Sequence, residues 1–216
     1  MAARFITFEG VEGSGKSTQL ARLDAHLRAR GLPTLATREP GGTPLGRALR
    51  EALLAPGADA RACSPLTEAL LMVADRHEHV ARVIAPALAA GRIVLCDRHA
   101  DSTLAYQGGG SGVALETLRA LNAIAVGETR PALTLLFDLP VEAALARMAA
   151  RAGRVGAAPD RFEAETVAFH ARVRRVYLEL ASAEPGRIVV IDALRPVDEV
   201  FSDVQRRFDE LLAATS

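Results

Sequence analysis

Two hydrophobic rhythms share this chain. Short, nearly unbroken apolar runs at Phe5–Glu9, Thr34–Thr37, Ile93–Cys96, Leu133–Phe137 and Ile188–Ile191 are separated by longer stretches in which apolar residues return every third or fourth position. Runs of that kind fit strands covered on both faces. The intervening pattern is helical, in a segment opening at Ser17 with Leu20, Leu23 and Leu27, and again over Leu66–Leu88 and Phe162–Ala183. Regular alternation predicts an α/β, three-layer fold with a five-stranded parallel sheet and helices on both faces, and the glycine loop Gly10–Ser17 between the first strand and the first helix makes it one of the P-loop NTPase type. Ligands of such sheets sit beyond the carboxyl ends of the strands. Chemistry is therefore expected at Glu9-Gly10, Arg38-Glu39, Asp97-Arg98, Asp138 and Asp192, the polar residues that follow the apolar runs.

One stretch interrupts the rhythm. Arg147–Pro159 is small and basic, broken by Gly153, Gly156 and Pro159. It suits a mobile flap better than a packed element, and we read a lid at about 147–160 over a phosphate site. A plain solvated loop has the same composition. The remainder fits one domain over residues 1–216.

Composition narrows the chemistry. Lysine occurs once, at Lys16, among 26 Lys and Arg residues. That lysine lies in Gly10-Val11-Glu12-Gly13-Ser14-Gly15-Lys16-Ser17-Thr18. The run matches the glycine loop whose backbone N–H groups cradle phosphates, whose lysine reaches the β/γ-phosphates and whose hydroxyl, here Ser17, holds Mg²⁺. A compact ammonium fits where a planar guanidinium does not. The 26 basic residues are matched by 26 acidic ones, so a general nucleic-acid binder is excluded. With two cysteines, Cys63 and the strand residue Cys96, a disulfide framework is not expected. No signal-peptide core and no membrane-length apolar run occur, and the expected location is the cytoplasm.

Other candidates gather around the strand ends. Asp97 follows a buried strand beside the loop, where a Mg²⁺ shell needs a carboxylate, and Arg98 offers a bidentate fork to a second phosphate. A local pairing of these two neighbours is the plainer alternative. Arg38 and Arg50 flank the turn Glu39-Pro40-Gly41-Gly42, and Ser102, Thr103 and Tyr106 bring hydroxyls and a phenol. His77, His79 and His99 are not read as a metal site, because residues two apart on a helix do not share a face. Asp160 and Glu163 have the spacing of a capping box that would start the helix Phe162–Ala183.

Taken in order, these motifs resemble bacterial thymidylate kinases over nearly the whole chain. They are Phe8–Thr18, Thr37–Thr43 with Arg50, Asp97-Arg98-His99 with Ser102-Thr103, Tyr106–Gly110, and Asp160–Glu163. The resemblance implies a homodimeric, Mg²⁺-dependent enzyme that makes dTDP from dTMP and ATP. It implies that Glu12 faces the sugar 3′-hydroxyl, that Arg98 with Arg38 and Arg50 handles the acceptor phosphate, and that Arg76 meets the thymine carbonyl. Thr103 would meet the base edge, Ser102 would belong to the dTMP site, Met72 would stand where many relatives have a stacking Phe, and Tyr106 would lie under the deoxyribose. Because Gly13 follows Glu12, the resemblance is to the branch that draws its catalytic arginine from the lid, with Arg151 first and Arg154 second. A kinase for another pyrimidine monophosphate would share Lys16, Asp97 and the lid. A GTPase is a weaker rival, since its guanine-reading Asn-Lys-x-Asp needs a second lysine. A non-enzymatic ATP sensor would leave Arg98, Arg76 and Tyr106 without a role.

Overall fold

The structure is a computed structural model that describes residues 4–55, 63–155 and 160–214, without the side chains of Arg154 and Val155. Its five strands are β1 (Arg4–Glu9), β2 (Thr34–Arg38), β3 (Ile93–Asp97), β4 (Leu133–Asp138) and β5 (Ile188–Asp192). They form one parallel sheet in the order β2-β3-β1-β4-β5. All five match the apolar runs. The burial pattern explains why: the central strand β1 is buried at every position, whereas the edge strands β2 and β5 are mostly intermediate or exposed, with Thr34, Ile188 and Ile191 buried. Between its charged ends Arg4 and Glu9, β1 has one polar residue, Thr7, whose hydroxyl shares a 2.7 Å hydrogen bond with that of Thr134 on β4.

The helices are α1 (Lys16–Ala29), α2 (Pro44–Leu54), α3 (Pro65–His79), α4 (Ala85–Ala89), α5 (Ala100–Thr103), α6 (Leu115–Val126), α7 (Val141–Val155), α8 (Val167–Ala183) and α9 (Val197–Ala214). Phe5, Val94 and Cys96 pack with Val80, Ile84 and Ala87 in one core. Ile6, Phe8 and Leu95 join Leu20, Leu23 and Leu27 of α1 in a larger one.

Three departures from the helical pattern have physical causes. The Leu66–Leu88 period is split by a wide π-type turn at Val80–Ile84, where the N–H of Ala85 reaches back to the carbonyl of Val80. Pro86, lacking an N–H, cannot continue the ordinary ladder just beyond. A second wide turn, Leu104–Gly110, presses so closely on α8 that a Cβ on Gly109 would stand 2.6 Å from Val176. The helix expected from Phe162 begins instead at Val167, behind an N-cap hydroxyl of Thr166 that accepts from the N–H of Phe169 at 3.2 Å. The Asp160–Glu163 reciprocal pair does form: the Asp160 carboxylate accepts from the Glu163 N–H at 3.0 Å, and Glu163 from that of Asp160 at 3.2 Å. It closes a turn, not a helix.

Among the described residues, no helix is long and apolar enough to cross a membrane, and Cys63 and Cys96 are both free.

Candidate active site

The loop after β1 crosses the end of β4 so closely that a Cβ on Gly10 would stand 2.4 Å from the Phe137 carbonyl oxygen. Helices α2, α3 and α8 begin behind hydroxyl caps from Thr43, Ser64 and Thr166, but α1 begins at Gly15 with no side-chain cap. Its first N–H groups are thereby kept for an anion. The Lys16 Nζ donates to the Val11 carbonyl at 2.8 Å and to Ser14 Oγ at 3.3 Å. Burial, reinforced by the charge of Arg98, pushes that ammonium down to about 8, so it stays largely charged at neutral pH. The Ser17 hydroxyl donates to Asp97 Oδ2 at 2.5 Å. Two hard oxygen donors side by side at the mouth of the loop fit a Mg²⁺ shell.

One cleft of about 590 Å³ contains this loop together with the candidates from the ends of β2 and β3; Asp138 and Asp192, at the ends of β4 and β5, were expected there but do not line it, being taken up by Arg174 and the Leu194 N–H. Glu12, Gly13, Gly15, Lys16, Ser17, Thr18 and Asp97 line it, as do Arg38, Arg50, Met72, Arg76, Arg98, Ser102, Thr103, Tyr106 and Arg151. Gly10, Val11 and Ser14 lie beneath it as the underside of the loop, and Val11 is part of the core. The Arg154 side chain lies outside the described residues.

Arg98 does not pair with its neighbour Asp97. Its backbone takes the left-handed conformation, φ 70°, which costs a non-glycine residue on the order of 1 kcal/mol and turns the side chain into the cleft. There Nη2 donates to Glu12 Oε1 at 2.6 Å and to the Tyr106 hydroxyl at 2.9 Å. Nη1 faces the Gly10 carbonyl at 3.1 Å and the hydroxyls of Ser102 and Tyr177, each at 3.2 Å. The Tyr106 hydroxyl in turn donates to Glu12 Oε2 at 2.6 Å. Burial would raise the Glu12 carboxyl, but Arg98 and Lys16 outweigh it and hold it below the usual range. Arg38 and Arg50 stand nearby, neither ion-paired to a carboxylate among the described residues, and burial followed by the charge of Arg38 lowers the pKa of Arg50. Unlike Arg98 with Glu12, Arg38 and Arg50 lack an anion among the described residues.

Arg76 is held more tightly than sequence suggests. Four of its five N–H groups are spent, on Glu39 Oε2 at 2.9 Å, Thr103 Oγ1 at 3.0 Å, Asn122 Oδ1 at 2.6 Å and the His99 carbonyl at 3.0 Å. One remains for a ligand. Among the described residues, Glu39, His79 and Cys96 lie close enough together to hold a metal ion. Their donors are already used: His79 Nδ1 meets Glu39 Oε1 at 2.9 Å, His79 Nε2 meets the Thr37 hydroxyl at 2.7 Å, and the Cys96 thiol donates to the Arg98 carbonyl at 3.1 Å. Burial works against the Glu39 carboxylate, yet His99, Arg76 and the His79 hydrogen bond hold it down at about 2. This cluster braces Arg76. His77 is exposed and takes no part.

The irregular flap expected from Arg147 onward is, through Val155, a continuation of α7 anchored by buried Met148. The sequence Met148-Ala149-Ala150-Arg151-Ala152 consists of strong helix formers, and Gly153 alone costs only about 1 kcal/mol, too little to break it. Residues 156–159 of the expected lid lie outside the described residues. Arg147, Ala150 and Arg151 face the cleft, and Arg151, half exposed, is ion-paired to Glu163.

Several residues of the site were given no role by the sequence. Phe162 lines the cleft with its ring 5.0 Å from that of Tyr106, edge to face. Glu68 accepts from Gln107 at 2.7 Å and pairs with Arg161, binding the turn after the lid to α3. Glu9 and Glu39 were marked by their place at strand ends, but nothing local to them announces a partner.

Comparison with known proteins agrees with this geometry. Residues 8–204 match the family model described as thymidylate kinase. The chain is similar to a thymidylate kinase of Pseudomonas entomophila (strain L48), 52% identical over 212 residues that are 98% of this chain and 96% of that protein. It is 53% identical to one from Desulfosudis oleivorans over 91% of this chain and 92% of the other. The solved structure of a thymidylate kinase from Ehrlichia chaffeensis superposes with a TM-score of 0.76 at 31% identity, over 97% of this chain and 99% of that one.

Proposed function

The chain belongs to the thymidylate kinase family, and from that premise we propose how its cleft divides the labour of making dTDP from dTMP with ATP as the phosphoryl donor. The observation that carries the reading is one cleft holding two cationic poles, the Lys16 loop at one side and Arg98 with Arg38 and Arg50 at the other. A kinase joining two polyanions needs both. Lys16 and the uncapped first turn of α1 take the β- and γ-phosphates of ATP. Arg98, Arg38 and Arg50 take the phosphate of dTMP, with Arg76 and Thr103 at the base edge, Met72 against the ring, and Glu12 with Tyr106 at the sugar. Ser102 supports Arg98.

In the reaction, an oxygen of the acceptor phosphate bonds to the γ-phosphorus as the bond to the β,γ-bridging oxygen breaks, releasing ADP. The second pKa of a phosphate monoester is about 6, so the acceptor is already mostly a dianion at neutral pH and no general base is required. Positioning and charge neutralisation do the rest. Ser17 and Asp97 would hold Mg²⁺, which would supply further neutralisation of phosphate charge. Arg151, released from Glu163, would come in from the lid side; Arg154 is the alternative.

Two further readings accompany this one. Leu66 and Leu70 on α3 and Ile124 on the adjacent α6 are large exposed apolar residues, with Ile124 74% exposed, and we assign them to the homodimer contact. We place the enzyme in the cytoplasm, which suits its unpaired cysteines.

The test is ADP release by the purified protein with Mg-ATP against dTMP, dUMP, UMP, CMP, AMP and GMP. The largest response is expected with dTMP. No dTMP-dependent turnover, or a stronger response to another monophosphate, would refute the assignment.

A further inference from the structure

Glu9 ends β1 fully buried, beneath the cleft and out of reach of either substrate. Its Oε1 accepts from the backbone N–H of His99 at 2.7 Å, fixing the chain just past Arg98. Its Oε2 accepts from the Ser102 hydroxyl at 2.6 Å and the Tyr177 hydroxyl at 2.9 Å. Those two hydroxyls lie 2.8 Å apart, and both face Arg98 Nη1 at 3.2 Å.

Hydrogen counting gives the arrangement a direction. Arg98 can only donate, so neither hydroxyl can point its hydrogen at Nη1, whose two N–H groups are shared among the Gly10 carbonyl and the two hydroxyl oxygens. Their two hydrogens must then go elsewhere. Whether both point to Glu9 or one passes through the other hydroxyl, the last of them needs an acceptor, and Glu9 Oε2 is that acceptor. A hydroxyl deprived of it would turn its hydrogen toward the guanidinium. The left-handed backbone of Arg98 makes the pinning consequential, because its side chain is aimed from a strained position.

We propose that Glu9 is a positioning residue for the acceptor phosphate: it collects the hydrogens of Ser102 and Tyr177, turns both oxygens toward Arg98, and so holds that guanidinium where the phosphate arrives. The inference rests on the reading of Arg98 as the acceptor-phosphate residue. It also gives Tyr177, from α8 at the far end of the sequence, a role in the site.

Glutamine tests the point sharply. A Gln at this position must present an NH₂ either to the His99 N–H or to the hydroxyl pair, and each choice sets donor against donor. The measurement is equilibrium binding of dTMP and of thymidine at pH 8, where the carboxyl of Glu9 and the phosphate are both ionised. The ratio of the two affinities reads the phosphate subsite alone. Glu9→Gln should lower that ratio about tenfold and Tyr177→Phe about threefold, the scale of a weakened charge-assisted hydrogen bond, with thymidine affinity nearly unchanged. Arg98→Ala should lower it further than either. If Arg98→Ala lowers the ratio while Glu9→Gln and Tyr177→Phe leave it at the wild-type value, the positioning role is overturned. An unchanged ratio in Arg98→Ala would overturn the acceptor role of Arg98 itself, and the proposal with it. Should Glu9→Gln fail to fold, Tyr177→Phe, which keeps its ring in the core, decides the matter by the same ratio.

Discussion

Arg98 and Arg151 face the same cleft with the same guanidinium, yet the chain holds them in opposite ways. Arg98 has an 18% exposed side chain fixed by Glu12, Tyr106, Tyr177, Ser102 and the Gly10 carbonyl, contributed by β1 and its loop, the turns after β3, and α8. Arg151 is 50% exposed and has Glu163 as its ion-pair partner. Arg98 is placed by the core before any substrate arrives. Arg151 is held by a single exchangeable ion pair among the described residues, so on the proposed reading the substrates would create its catalytic position. On that reading preorganisation serves binding on one side of the cleft, and release serves chemistry on the other.

The sharpest break of this contrast would come from Arg98→Ala. Removing a guanidinium that meets a transferring or accepting phosphate costs about 10³-fold or more, and the loss should fall on kcat/KM for dTMP with KM for ATP little changed. A larger effect on ATP than on dTMP would place Arg98 on the donor side and dissolve the comparison.

Burial also gives the acceptor half a pH dependence. The Glu9 carboxyl is raised from 4.5 to about 7, first by burial and then by Asp101, while Ser102, Arg98 and Tyr177 pull the other way. A raised carboxyl binds its proton more tightly folded than unfolded. Its contribution to stability is therefore fully present below about 4.5 and is lost as pH rises through about 7. Unfolding free energies of wild type and Glu9→Gln, measured from pH 4 to 8, should diverge by about 3 kcal/mol to the disadvantage of wild type. A constant difference would mean that Glu9 titrates normally and is not desolvated.

Arg151→Ala comes next. We expect kcat to fall by about 10²-fold, KM for dTMP to stay within about threefold, and unfolding free energy to move by no more than about 0.5 kcal/mol, because an exposed ion pair contributes little. Unchanged kcat would pass the role to Arg154. A large loss of stability would show that the lid arginine is built in like Arg98.

The same contrast explains how much could be read from the chain. Strand positions were legible because a central parallel strand is buried throughout and mostly apolar, and the cleft candidates because strand ends turn polar. Yet the ends of β1, β2 and β3 supply the site while those of β4 and β5 do not. Asp138 is held bidentately by Arg174 at 2.7 and 2.9 Å, and Asp192 accepts from the N–H of Leu194 at 3.0 Å. Local pattern cannot tell these classes apart, because the strand order β2-β3-β1-β4-β5 decides which ends adjoin α3 and the Leu104–Gly110 turn. Tyr177 was equally hidden. It carries the period of a packed helix, and its hydroxyl finds Glu9 only through folding. Phe162 was read as the start of a helix, and its ring instead leans on Tyr106.

The smallest change separates holding from acting. In Glu163→Gln the side-chain oxygen can still accept from the Asp160 N–H, and the Glu163 N–H can still donate to Asp160, so the turn is preserved. What disappears is the charge opposite Arg151. Stability should shift by no more than about 0.5 kcal/mol, since the arginine is half exposed and screened by solvent. Turnover should stay within about threefold of wild type if Glu163 merely parks the arginine, because the substrates must displace it in any case. Steady-state kinetics in the variant, alone and combined with Arg151→Ala, would decide this. A hundredfold loss in the single variant that persists in the double one would mean that Glu163 itself meets a substrate, and that the lid side is as preorganised as the acceptor side.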